Sequence, residues 1–212
     1  MRRQAAEATA QDEKTRRLQA ERDAEEWGGA PPSGRVRGLV SQASSLARID
    51  RPLLDRIDAL PAVRQREAAC WAARRAMRVA GLEQIGWIAD ALAGAEADRP
   101  LPRSFTAQGG AAAFNRLLTD PEAPQTTVPL RVDPIMSGTR GGVTEILQQA
   151  AAFPAVIALA NDDPLVAAID AVFNAAIAHG DDPRPLPRRR PRRPALSMRT
   201  ISGLGDRLPR SR

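Results

Sequence analysis

The chain has 212 residues, a formal net charge of +6 and a single cysteine, Cys70. One cysteine excludes an internal disulfide, so a disulfide-stapled secreted domain is not expected. The first 26 residues are charged throughout and lack the apolar stretch of a secretory signal. The longest apolar run, residues 150–160, is far shorter than the roughly 20 residues of a membrane span. These features predict a cytoplasmic protein with no membrane span.

The composition favours helices over sheets. Hydrophobic residues make up 43% of the chain and aromatic residues only 3%, with no tyrosine. A core of Ala, Leu, Ile and Val packs well between helices, and strand-forming residues are scarce outside short patches. We therefore predict an all-α fold: a bundle of about six to seven helices with a polar N-terminal helix and a disordered Arg/Pro-rich C-terminal tail.

The N-terminal segment, residues 1–27, reads as a charged helix with nothing to bury. Leu18 is its only large apolar residue before Trp27. A helix that is polar on all sides bridges solvent, forms transiently or belongs to an assembly. Glycines and prolines follow at once and predict a flexible linker over residues 28–35.

A helical core domain is expected over residues 36–180. Asp50 or Arg51 starts a helix that has Pro52 in its first turn, and Gly81 is a plausible left-handed end to another. Val63, Cys70 and Met77 are expected on the inner side of one helix, and Phe114, Leu117 and Leu118 on that of a later one. The predicted helices cover residues 38–49, 52–60, 62–80, 83–95, 110–118, 143–153 and 154–159, and a short strand covers residues 128–132.

The clearest helix lies at the end of this domain. Asp163 is a good N-cap, Pro164 suits the first helical position and Gly180 stops the helix. His179 falls in the last turn, where a cation would be favoured by the helix dipole. Residues 181–212 contain little to bury, so we expect a disordered basic tail there.

Several short stretches share a pattern with known proteins. They are residues 66–76, Ala80-Gly81-Leu82, Trp87-Ile88, Ala91-Leu92, residues 101–105, Gln148-Gln149-Ala150 and Pro154-Ala155. Together they resemble uncharacterised small helical proteins of high-GC Gram-positive bacteria. The group has no known activity, so the resemblance implies a lineage and carries no catalytic, binding or metal-ligating residue to this chain.

The residues that could support catalysis or metal binding are few. A structural zinc site needs about four Cys or His ligands, and this chain has only Cys70 and His179. A Ser or Cys nucleophile usually needs a base, for which His179 is the only histidine. The favoured interpretation makes Cys70 a small core residue and His179 a helix-terminal one. We therefore predict no catalytic residue, no metal site and no cofactor.

A glycine-rich loop is the one place in the body where a small anion would be expected. Gly138, Arg140, Gly141 and Gly142 lie in the irregular segment 120–142 and could offer backbone N–H groups and a guanidinium. The loop lacks the Lys-Ser/Thr of a phosphate-binding P-loop. A plain connecting loop is the favoured alternative.

Two features bear on nucleic acid. Residues 74–92 have the outline of a helix-turn-helix, but the second helix carries Glu83 and Asp90 and no basic residue, so it would repel phosphate. The tail is different. Residues 183–212 carry a net charge of +9 within a chain of +6, so the remaining residues carry −3. The tail arginines that would neutralise phosphates are Arg188, Arg189, Arg190, Arg192 and Arg193.

Two functional hypotheses follow. The first is a non-enzymatic helical interaction protein, such as an adaptor, a small regulator or an immunity-type partner, with an unidentified protein partner. The alternative is a nucleic-acid-associated accessory protein that binds non-specifically through its tail. An enzyme using the glycine-rich loop is a distant third hypothesis.

Overall fold

The computed structural model describes residues 2–106, 108–132 and 142–180, and most of these residues are helical. The prediction of a mostly helical chain is confirmed. Short turns of 3₁₀ helix cover Arg103–Phe105 and Ala158–Ala160. The α-helices in these ranges are α1 (Arg2–Trp27), α2 (Gly34–Arg37), α3 (Ala43–Asp58), α4 (Ala62–Val79), α5 (Gly86–Glu96), α6 (Gly110–Thr119), α7 (Gln148–Ala152), α8 (Pro154–Ile157) and α9 (Pro164–His179).

One antiparallel hairpin departs from an all-α fold. Strand β1 (Thr127–Val132) pairs with β2 (Gly142–Leu147), with Val128 opposite Ile146. The strand predicted at residues 128–132 is confirmed, but the helix predicted over residues 143–153 is wrong for its first half. The β-branched residues Val143, Thr144 and Ile146 suit a strand once β1 is available to pair with them. The helical part begins only at Gln148.

The described residues divide into two compact units, with the boundary between Ala59 and Leu60. The sequence placed a boundary earlier, at the glycine- and proline-rich residues 28–35. In the first unit, α3 is interrupted at Asp50, whose φ of −150° and ψ of 89° are non-helical. The Asp50 carboxylate accepts a hydrogen bond from the Leu53 N–H at 2.9 Å. Asp50 thus caps the second half of α3, as its position before Pro52 predicts.

In the second unit, α4 and α9 pack against each other over much of their lengths. Alanine dominates the buried residues of both helices, as expected for a core with few aromatics. The buried alanines of α4 are Ala68, Ala69, Ala72, Ala73 and Ala76, and those of α9 are Ala167, Ala168, Ala171, Ala175, Ala176 and Ala178. Small side chains let two helix backbones approach closely, which explains how this composition builds a core.

The larger core residues form an aromatic cluster beside these helices. The Phe153 ring lies 5.8 Å from Phe105, 6.2 Å from Phe114 and 5.7 Å from Trp87, measured between ring centroids. The guanidinium of Arg116 lies over the Trp87 ring, 4.6 Å from its centroid, which is a cation–π contact. Most of the few aromatic side chains of the chain are therefore concentrated in one place.

In the second unit, the residues predicted to begin and end helices do so. Two side chains that were predicted to be buried are exposed. Gly81 has a φ of +71°, and the Asp163 carboxylate accepts from the Leu165 N–H at 2.8 Å. Val63 and Leu118, expected to face inward, are 71% and 38% exposed. Both side chains lie near a helix end, where helical spacing alone does not fix which side is covered.

Candidate functional site

The most unusual surface in the first unit is the middle of α1. This helix is 26 residues long, about 39 Å at the usual rise. Residues 11–22 are all exposed, and we call this stretch the α1 surface. Acidic and basic side chains are mixed along it, and Leu18, at 48% exposure, is its only large apolar residue. Over these turns the helix buries no side chain against the part of the chain that the structure describes.

Among the described residues, the α1 surface is stabilised by local contacts. Arg17 donates to Glu21 at 3.0 Å, and Gln19 donates to Asp23 at the same distance. The Thr15 hydroxyl donates to the Gln11 carbonyl at 2.9 Å. Pairs at this spacing contribute roughly 0.2–0.5 kcal/mol each. Such contacts support a helix weakly compared with the burial of an apolar face.

The C-terminal end of α1, by contrast, is firmly anchored to α3. Trp27 is only 7% exposed. Gly28 follows with a φ of +66°, and a Cβ at this position would lie 2.9 Å from the Ala47 carbonyl oxygen. Glycine is thus required here both by the left-handed backbone and by the close approach of α3. A bulky aromatic and a glycine together fix where α1 ends.

Arg51 of α3 secures the chain after α1. Its Nη1 donates to the carbonyls of Trp27, at 3.2 Å, and of Ala30, and its Nη2 donates to the Pro31 carbonyl at 3.3 Å. Its Nε donates to Asp55 at 2.9 Å. The sequence predicts a flexible linker over residues 28–35. This segment contains two of the carbonyls that Arg51 binds and also the start of α2. Sequence reasoning missed the role of Arg51, since nothing local marks an arginine that binds carbonyls 20 residues away.

His179 lies in the last turn of α9, as predicted, and its ring accepts a hydrogen bond. The Arg75 Nε donates to His179 Nε2 at 3.2 Å, so this ring nitrogen acts as an acceptor. Burial, and secondly the charge of Arg75, lower the pKa of His179 below its usual 6.5. At this helix end the cation that the helix dipole favours is Arg75.

Cys70 is half-buried on α4 rather than enclosed in the core. Its Sγ lies 3.9 Å from the Ala95 carbonyl, and burial raises the pKa of its thiol. A thiol with a raised pKa is a poor nucleophile at neutral pH. No hydrogen bond in the described ranges joins Cys70 to His179, so the structure does not assemble these two residues into a nucleophile–base pair.

Two arginines of the helix-turn-helix-like stretch, Arg74 and Arg78, are bound by carboxylates. Arg74 binds Glu96 through two hydrogen bonds of 2.5 and 2.7 Å and also reaches Glu83 at 3.2 Å. Arg78 binds Glu83 through two hydrogen bonds of 2.8 and 2.9 Å. Hydrogen bonds from Arg78 and then Arg74 lower the pKa of Glu83 to about 2. These paired arginines carry little net charge to offer to phosphate.

Other predicted sites fall partly or wholly outside the described residues. Gly138, Arg140 and Gly141 of the predicted anion loop lie outside them, and Gly142 is the first residue of β2. The five tail arginines, Arg188 to Arg190, Arg192 and Arg193, also lie outside them. Within the described part of the chain, no group of three or more His, Cys, Asp or Glu could hold a metal. In the same part, no helix is long and apolar enough to cross a membrane.

Comparisons with protein-family models, with curated proteins and with solved structures find no match to this chain.

Proposed function

We propose that this chain acts by binding another protein and that the α1 surface is its contact surface. The observation that supports this most is that residues 11–22 are all exposed within a long helix whose end is anchored by Trp27. The anchor fixes the direction of the helix relative to α3. The exposed turns then present a preformed recognition surface to a partner.

A partner would supply the packing that this helix lacks. Isolated helices are marginal in water, and most helical stability in proteins comes from a packed face. Leu18 lies centrally on the α1 surface, flanked in sequence by Arg16, Arg17 and Arg22. Arginine is enriched among the residues that contribute most of the binding energy of an interface. This arrangement fits an adaptor, a small regulator or an immunity-type partner that acts without catalysis.

The proposal is tested by affinity capture from cells that express the chain naturally. The full chain is compared with Leu18→Asp, and the matched control is Val63→Asp, another exposed aliphatic on a helix at 71% exposure. We expect the Leu18 variant to lose a captured protein that the control retains, with affinity reduced at least about tenfold. Equal capture by the two variants would contradict the proposal.

The tail carries a second candidate function, and its charge is the observation that favours it. Residues 183–212 carry +9, whereas the rest of the chain carries −3. A concentrated positive charge binds nucleic-acid backbones without sequence choice. The tail has no aromatic side chain to stack on bases, so duplex phosphate is a better target than unpaired bases.

A further inference from the structure

A groove with a volume of about 350 Å³ lies in the second unit. Volumes of roughly 300–1,000 Å³ are usual for sites that bind small molecules. Separate stretches of the chain form its walls: α4, the end of α5 with the connector that follows, Thr106, and residues 159–162. Pocket walls built from several segments bring together side chains that are far apart in sequence.

One wall is held in place by Arg66 of α4. Its Nη1 donates to the Leu159 carbonyl at 3.1 Å, and its Nη2 donates to those of Asn161 and Asp162 at 2.9 and 3.3 Å. These hydrogen bonds span more than 90 residues of sequence and fix a guanidinium at the groove. The position of this cation is therefore set before any ligand arrives.

The turn that follows α5 also lines the groove and has an uncommon backbone conformation. Asp98 has a φ of +54°, the left-handed region that glycine usually occupies. The N–H groups of Asp98 and Arg99 donate to the carbonyls of Ala95 and Gly94, at 3.1 and 2.9 Å, which closes the helix end. Asp98, with a carboxylate, and Arg99, with a guanidinium, therefore both line the groove.

Two positive and two negative side chains line the groove, and three of the four form no ion pair within the described ranges. Arg66 and Arg99 are positive, and Asp98 and Asp162 are negative. The side chains of Asp98, Arg99 and Asp162 make no ion pair with any residue of the described ranges. Leu101 and Leu159 also line the groove and offer an apolar surface. A ligand with charge of one sign would meet two repelling groups as well as two attracting ones.

We propose that this groove binds a small zwitterion with an apolar body, the chemistry of a free aliphatic amino acid. The ligand carboxylate would face the guanidinium groups, its ammonium group would face the carboxylates, and its side chain would cover Leu101 and Leu159. Each ligand charge thereby meets groups of opposite sign. The site is separate from the α1 surface and does not depend on a protein partner.

Cys70 provides the test, because it lines the groove and is the only cysteine of the chain. The rate of its alkylation by iodoacetamide is measured in the full chain during a titration with L-leucine. At a leucine concentration about ten times its Kd, we expect alkylation to slow about tenfold. The same titrations with 4-methylpentanoate and with 3-methylbutylamine, which carry one charge each, are expected to leave the rate unchanged.

Two variants separate charge recognition from simple filling of the groove. The double variant Asp98→Asn with Arg99→Gln is expected to lose protection by leucine, since asparagine tolerates the left-handed backbone while the charges are removed. The matched control is Arg103→Gln, which changes an exposed arginine on the same connector. Arg103 does not line the groove, so this variant is expected to retain protection by leucine. An unchanged alkylation rate up to the solubility limit of leucine would overturn the proposal. Equal protection by the two single-charge analogues, or full protection in the double variant, would overturn it as well.

Discussion

The Nε of Arg75 donates to Nε2 of His179 at 3.2 Å and so joins α4 to the last turn of α9. An arginine side chain can only donate, so His179 must accept and is neutral in this arrangement. Protonation of the ring would remove the acceptor and bring two positive charges together. The contact between α4 and α9 is therefore sensitive to pH.

This contact predicts a loss of stability on mild acidification. The folded-state pKa of His179 lies below its usual 6.5, so the unfolded chain takes up a proton first as the pH falls. The contribution of the neutral ring is complete above about pH 7 and is lost progressively below 6.5. His179→Gln keeps an acceptor that does not titrate. We expect urea unfolding midpoints of the wild type to fall relative to this variant between about pH 6.5 and 5.

His179 is the only histidine of the chain, which makes this comparison clean. Parallel midpoints for the wild type and the variant over the same pH range would show that the ring nitrogen does not serve as the neutral acceptor.

Replacing Arg51 by alanine is expected to release the chain after α1. Three carbonyls, those of Trp27, Ala30 and Pro31, would lose a charged donor. Hydrogen bonds to charged groups contribute roughly 1.5–3 kcal/mol, so we expect a loss of about 2 kcal/mol and faster proteolysis at residues 28–33. Arg56→Ala, an exposed arginine on the same helix, is the control and is expected to change neither. Equal effects of the two substitutions would contradict the role given to Arg51.

Replacing Asp98 by glycine is expected to stabilise the fold. Asp98 occupies the left-handed position after α5 with a φ of +54°, where a side chain costs roughly 1 kcal/mol and glycine does not. An increase of up to about 1 kcal/mol in the free energy of unfolding is expected from urea denaturation. A destabilised glycine variant would mean that the Asp98 side chain makes a contact that compensates for its backbone.

Much of the helical framework follows from local signals. Asp50 before Pro52, Asp163 before Pro164, and Gly81 all act at their own positions, because caps and left-handed turns depend on a few neighbouring residues. Helix α4, at Ala62–Val79, nearly matches the predicted 62–80 for the same reason.

The features that the sequence did not predict depend on distant partners. Residues 143–147 form a strand because β1 is available to pair with them. The spacing of apolar residues along the chain does not indicate this pairing. The β-branched residues Val143, Thr144 and Ile146 were the available signal for a strand. Arg51 and Arg66 find carbonyl acceptors far along the chain, and no local pattern distinguishes them from other arginines. The groove, likewise, exists only once its walls are folded.

The alternative function through the tail predicts a strong dependence on salt. If the tail binds duplex DNA, removing residues 183–212 should abolish binding, since the remaining residues carry −3. Changing Arg188, Arg189, Arg190, Arg192 and Arg193 together to alanine should remove most of the binding and flatten the salt dependence, because fewer counterions are released. Gel-shift titrations at low and physiological salt measure both effects. Equal binding by the full and shortened chains would place the site elsewhere.

The central claim, that the α1 surface contacts a protein partner, is tested most directly by site-specific photocrosslinking in cells that express the chain naturally. A photoreactive phenylalanine analogue replaces Leu18 in one variant and Val63, an exposed aliphatic of α4, in another. We expect a discrete crosslinked species from position 18 that is absent from position 63. No crosslinked species from position 18, or the same species from both positions, would contradict it.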